Sequence, residues 1–205
     1  HQCVTVRLQH FGGFFILPVR CVAKDGGLMA VIEAIATTYL EADAASVTFS
    51  GIPATYEHLQ LRVNARSDRV NYVETIELNL NGDTGTNYSI HFMGGYNTST
   101  TAFGGTGYTY MQIVHCVTTL GAPASEYGGL IIDILDYANT NKNTTVMDTA
   151  WASGLNVSAS LRPLVTFTSN LWADTAAVNS IVLAPNVASN FTRGSEFTLY
   201  GLNSA

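Results

Sequence analysis

The sequence predicts an all-β protein, an antiparallel two-sheet β-sandwich of jelly-roll-like form. Three observations carry that prediction. Apolar residues recur with a period of two along most of the chain, and the segments between are built from Gly, Asn, Ser, Thr and Pro. No long helical pattern alternates with the strands, so a parallel sheet with crossover helices is not supported. With 205 residues, 47% hydrophobic and only 12% charged, the chain can bury one substantial core and is too apolar for disorder.

Taken in order, the first 28 residues have a texture of their own. They hold two of the three cysteines, Cys3 and Cys21, and an apolar run from Phe11 to Val19 that Gly and Pro break too often to span a bilayer. Residues 1–28 read as translation upstream of a true start at Met29, or as a disordered arm. A signal segment and a native arm are the competing readings. Residues 29–205 read as one β-sandwich domain.

Val31 to Ala45 is the only helical candidate, and its β-branched residues suit a strand equally. Ser46 to Ile52 and Tyr56 to Arg66 follow, separated by Pro53. In the second, Leu59, Leu61, Val63 and Ala65 alternate with Gln60, Arg62, Asn64 and Arg66. Between Glu74 and Met93, two alternating runs joined by Asn81-Gly82 and Asp83-Thr84-Gly85 read as a hairpin. Ile76, Leu78 and Leu80 lie on one face of the first run, and Tyr88, Ile90 and Phe92 on one face of the second. Gly94 to Gly107 is long, uncharged and rich in Gly and Thr, and reads as a loop. Tyr108 to Leu120, Leu130 to Tyr137, Thr144 to Trp151, Leu164 to Ser169, Val178 to Leu183 and Glu196 to Leu202 complete a set of about ten strands.

The composition narrows the function classes. Formal net charge is −6, and Lys24 and Lys142 are the only lysines, so no basic stripe exists to displace counterions from a nucleic acid. Arg62, Arg66 and Arg69 cluster, with cross-strand pairing to Glu74 and Glu77 as their expected role. The odd cysteine count without CxxC spacing argues against a disulfide framework. His115 and Cys116 are neighbours on a strand and should face opposite ways, which spoils them as a nucleophilic dyad.

Other chemistry is equally thin. Asp83-Thr84-Gly85 matches a short aspartic protease triplet, yet the turn explains every residue. One carboxylate among Asn79, Asn81, Asp83 and Asn87 is too few for a tight calcium site. Asp133 and Asp136, three apart on a strand, should point to opposite faces rather than flank a glycosidic bond. His58 and His91 lack metal-ligand spacing to a partner. The reading is therefore of no catalytic residues, no metal and no cofactor. The interface and ligand candidates are Tyr96, Phe103, Tyr108 and Tyr110, aromatic residues in and beside the Gly94 to Gly107 segment that can stack on a sugar or a neighbouring subunit.

Four stretches carry a family resemblance. They are Ser50 to Arg62 (Ser-Gly-Ile-Pro-Ala-Thr-Tyr-Glu-His-Leu-Gln-Leu-Arg), Leu80 to Tyr88 (Leu-Asn-Gly-Asp-Thr-Gly-Thr-Asn-Tyr), Asp133 to Lys142 (Asp-Ile-Leu-Asp-Tyr-Ala-Asn-Thr-Asn-Lys) and Gly194 to Leu202 (Gly-Ser-Glu-Phe-Thr-Leu-Tyr-Gly-Leu). In their order and number they resemble small virion and tail-associated proteins of tailed bacteriophages. The similarity covers Ile32 to Leu202. It implies a β-sandwich used many times in a particle, located in the virion after assembly in the host cytoplasm, and it brings no catalytic residues. The expected function is a structural or adhesion module acting through contacts with other virion proteins, copies of itself or a host-surface glycan. Nucleic acid and membrane insertion are not expected. A glycan-cleaving enzyme on the same scaffold is the alternative.

Overall fold

A computed structural model describes residues 31–71, 73–96, 99–119, 124–152 and 164–204, with the side chains of Val31, Val73, Tyr96, Cys116 and Val117 excepted. The expectations for residues 1–28, with Cys3 and Cys21, lie outside the described residues. The described chain forms twelve strands and no helix: β1 (Val31–Tyr39), β2 (Val47–Ser50), β3 (His58–Ala65), β4 (Val73–Leu80), β5 (Tyr88–Tyr96), β6 (Ser99–Tyr108), β7 (Met111–Thr118), β8 (Gly128–Leu135), β9 (Thr144–Ala152), β10 (Leu164–Trp172), β11 (Ser180–Pro185) and β12 (Glu196–Asn203). No helix among these residues is long and apolar enough to cross a membrane. Val31 to Tyr39, where helix and strand were both open, is a strand.

All pairings between strands are antiparallel, in an eight-stranded sheet of order β1-β12-β3-β8-β9-β10-β5-β6 and a four-stranded sheet of order β2-β11-β4-β7. With β5, β6, β9 and β10 set aside, the remaining strands pair first with last: β1 with β12, β2 with β11, β3 with β8, β4 with β7. β12 also pairs β3 and β11 pairs β4, which closes the two sheets. This is the order of a long antiparallel ribbon wrapped on itself, the jelly roll. The pairs β5-β6 and β9-β10 are insertions that extend the larger sheet beyond β8, and together they form a wing.

Alternation places the core as the sequence requires. Leu59, Leu61 and Val63 of β3 and Ile76, Leu78 and Leu80 of β4 are buried between the sheets, while Arg62 and Asn64 face water. Under the wing, Ile90, Phe92 and Val114 make a separate small cluster, with Tyr108 packed against both it and the main core.

The turn after β4 differs from the hairpin that the sequence suggests. Asn81 and Gly82 do take positive φ, 54° and 68°, as a tight reversal demands. However, β4 and β5 lie in different sheets, so the turn is a corner between layers. Asp83 fastens it: Oδ1 accepts from Gly85 N–H at 2.8 Å, and Oδ2 from Asn87 Nδ2 at 2.8 Å and Trp172 Nε1 at 2.6 Å. The protease-like triplet is thus occupied in joining the sheets.

Gly94 to Gly107 is not a loop. Its residues finish β5 and build nearly all of β6, paired from Tyr96↔Ser99 to Tyr88↔Tyr108. The glycines have a packing reason, since a Cβ on Gly105 would lie 2.6 Å from Tyr108 Oη and one on Gly104 3.0 Å from the His91 ring. Arg69 makes the expected carboxylate contact, to Glu74 at 2.9 Å. Arg66 donates to the Glu126 carbonyl at 3.1 Å, and Arg62, on a strand in the sheet opposite β4, donates to Gln60 Oε1 at 3.0 Å. His115 has φ 54° at a bulge in β7, and the expectation that it and Cys116 face opposite ways lies outside the described residues, since the Cys116 side chain is not among them.

Candidate functional site

The outer face of the eight-stranded sheet can be mapped residue by residue from the register. Three rows cross it: Glu196, Asn64, Gly129, Trp151, Val165, Gly95; then Thr198, Arg62, Ile131, Thr149, Phe167, Met93; then Tyr200, Gln60, Asp133, Met147, Ser169, His91. On the wing side these rows leave Met93, Met147, Trp151, Val165 and Phe167 exposed, each at about half of its possible area. The four wing strands contain one formally charged residue, Asp148, and it is buried on the inner face.

On the jelly-roll side the same face is polar. Arg62, Asn64, Glu196, Thr198 and Tyr200 share an open cleft of about 410 Å³ with Gly129 and Trp151. Arg62 is braced on two sides, by its bond to Gln60 and by the Tyr200 ring, whose centroid is 5.2 Å from its guanidinium carbon. Gln60 in turn donates to Asp133 Oδ1 at 2.8 Å, so the polar groups form a short chain across three strands. Trp151 lies over the bare backbone of Gly129: a Cβ there would meet ring atoms Cε2 and Cζ2 at 2.5 Å.

The aromatic residues singled out from the sequence do not converge. Tyr96 ends β5 and its side chain is outside the described set, while Tyr108 ends β6 at the other extreme, about 30 Å along the strand. Phe103 is midway on β6 with its ring 4.9 Å from Phe92, on the inner face but partly open because no opposing strand covers the edge. Tyr110 is tied into the other sheet, where Asn186 Nδ2 donates to its Oη and to Glu77 Oε1, both at 2.9 Å. Burial pushes the Glu77 carboxyl up, and these bonds only partly offset it.

The two carboxylates weighed as an acid/base pair occupy separate settings. Asp133 lies on the outer face with Gln60, whereas Asp136 sits in the turn after β8 with φ 49°, bonded to Lys142 and 3.6 Å from His58 Nδ1. The Lys142 contact is foremost in holding the Asp136 carboxyl below its usual range. Among the described residues, no group of three or more His, Cys, Asp or Glu is placed to hold a metal ion.

Apart from Arg62, noted as part of the basic cluster, the cleft residues do not stand out in the sequence. The available signal was parity in β9, where Met147 and Trp151 share one face and Val146, Asp148 and Ala150 the other, so that the charge goes inward and the indole outward. No family model matches the chain, and comparison with curated proteins and with solved structures returns no match.

Proposed function

We propose that the protein is a structural or adhesion module of a tailed-phage particle, one that works by surface contact with other virion proteins or further copies of itself. The observation that carries this reading is the wing: four inserted strands whose exposed outer surface is apolar and free of formal charge. Depletion of charge with enrichment in Phe and Met, here Phe167, Met93 and Met147, is the composition of an interface core. A contiguous apolar patch on a sheet face marks a contact site more often than it marks idle surface. Jelly rolls recur in viral capsid domains, which supports the reading by analogy of fold alone. The phage assignment itself comes from the sequence resemblance.

The test is association in solution. Size-exclusion chromatography with light scattering is expected to show an oligomer that Phe167→Ser converts to a monomer of unchanged circular dichroism. A wild-type monomer at high concentration, together with release of new reducing ends from host envelope polysaccharide, would replace this reading with the glycan-cleaving one.

A further inference from the structure

The cleft beside the wing has properties that assembly does not require. Trp151 keeps 46% of its surface open while its ring packs closely on Gly129, so the platform is already ordered and little entropy remains to be lost on binding. A ring over a glycine also shields sheet backbone, and that alone would explain the contact with Gly129. It does not explain why Arg62, Asn64 and Glu196 line the same cleft. From β9 to β12 the cleft crosses three strand spacings, about 14 Å, which suits a short extended ligand.

Chemistry narrows the ligand. Arg62 only donates hydrogen bonds, Glu196 only accepts them, and Asn64 and Tyr200 do both. Arg62 and Glu196 balance in charge, so the cleft offers no net field to a polyanion or a polycation. A ligand with an apolar face for the indole and many uncharged hydroxyls around its edge satisfies every part. We propose that this cleft binds a neutral oligosaccharide, with Trp151 as the stacking platform and Arg62, Asn64 and Glu196 as the hydrogen-bonding rim. The proposal rests on the adhesion side of the function proposed above, and it moves sugar contact from the β5-β6 hairpin to the sheet face.

Trp151 and Trp172 are the only tryptophans, and Trp172 is buried, so quenching of tryptophan emission by acrylamide reports on Trp151. Dextran, laminarin and chitohexaose serve as probes. At least one is expected to protect the emission, and isothermal titration with that sugar should weaken at least tenfold in Trp151→Ala and several-fold in Asn64→Ala. Trp151→Phe, which keeps a ring, should bind within several-fold of wild type and exclude misfolding as the cause. Phe167→Ser should dissociate the oligomer yet bind the sugar unchanged, which separates this inference from the assembly reading. Protection by none of the three sugars, or equal binding by Trp151→Ala, overturns it.

Discussion

Asp83 shows how much a single side chain can decide. Its two carboxylate oxygens collect three donors, from Asn87, Trp172 and the Gly85 backbone, and these hold its carboxyl below the usual range. Because the folded-state pKa is depressed, the stability that Asp83 supplies is present above the unfolded value of 3.8 and is lost as pH falls through the folded value. Asp83→Ala is expected to cost about 1–3 kcal/mol in urea denaturation at pH 7, and the difference from wild type should shrink in acid. A cost below about 0.5 kcal/mol would mean that solvent replaces the carboxylate, as it does at most surface positions. This residue was legible as turn chemistry because its local partners, Gly85 and Asn87, are close in sequence. The bond from Trp172, 89 positions away, was not.

Elements were legible where one face is buried and the other wet. β3, β4 and β5 alternate in the sequence and alternate in burial at the same residues. β6 was not, and the reason is its position. An edge strand has one hydrogen-bonded neighbour, and here no opposing layer covers it, so almost nothing selects for apolar residues at every second place. Its Gly and Thr therefore read as loop, although Gly104 and Gly105 make room for the rings of His91 and Tyr108. Phe103, its ring 4.9 Å from that of Phe92, anchors the middle of the strand, and Tyr108 anchors its end. Phe103→Ala should cost about 0.5–1.5 kcal/mol beyond lost area and speed amide exchange across β6, leaving β3, β8 and β12 unchanged. Exchange that accelerates evenly through both sheets would show that β6 is part of the global cooperative unit. The corner after β4 teaches a related lesson: turn residues dictate that the chain reverses, but the strands that pair with β4 lie farther on, β7 about thirty residues and β11 about a hundred.

At the scale of the whole molecule, the jelly roll and its wing are divided by a polar seam. One inner-face row runs from Ile132 in the main core through Asp148 and Thr168 to Phe92 in the small cluster. Asn170 and Thr166 flank Thr168 on the same face; Asp148 has only weak donors there, Asn170 Nδ2 at 3.5 Å from Oδ2 and the Thr168 hydroxyl, and Thr166 Oγ1 and Asn170 Oδ1 are buried without a protein hydrogen-bond partner. Burial raises the Asp148 carboxyl well above the ordinary range, so the folded state favours the protonated acid. The contribution to stability is then full below the unfolded value of 3.8 and declines as pH rises towards the folded value, opposite in sign to that of Asp83. Buried oxygens without partners weaken the seam relative to the apolar core on either side. The wing is therefore expected to open below the global unfolding free energy, with amides of β5, β6 and β10 exchanging before those of β3, β8 and β12. Asp148→Asn removes the titration while keeping the shape. It should stabilise the protein at pH 7 by about 1–3 kcal/mol, slow exchange in β10, and give no gain near pH 4. A variant less stable than wild type at pH 7 would show that the ionised carboxylate is satisfied in solution. The seam would then strengthen the join between roll and wing, and the sheet would be expected to unfold as one unit.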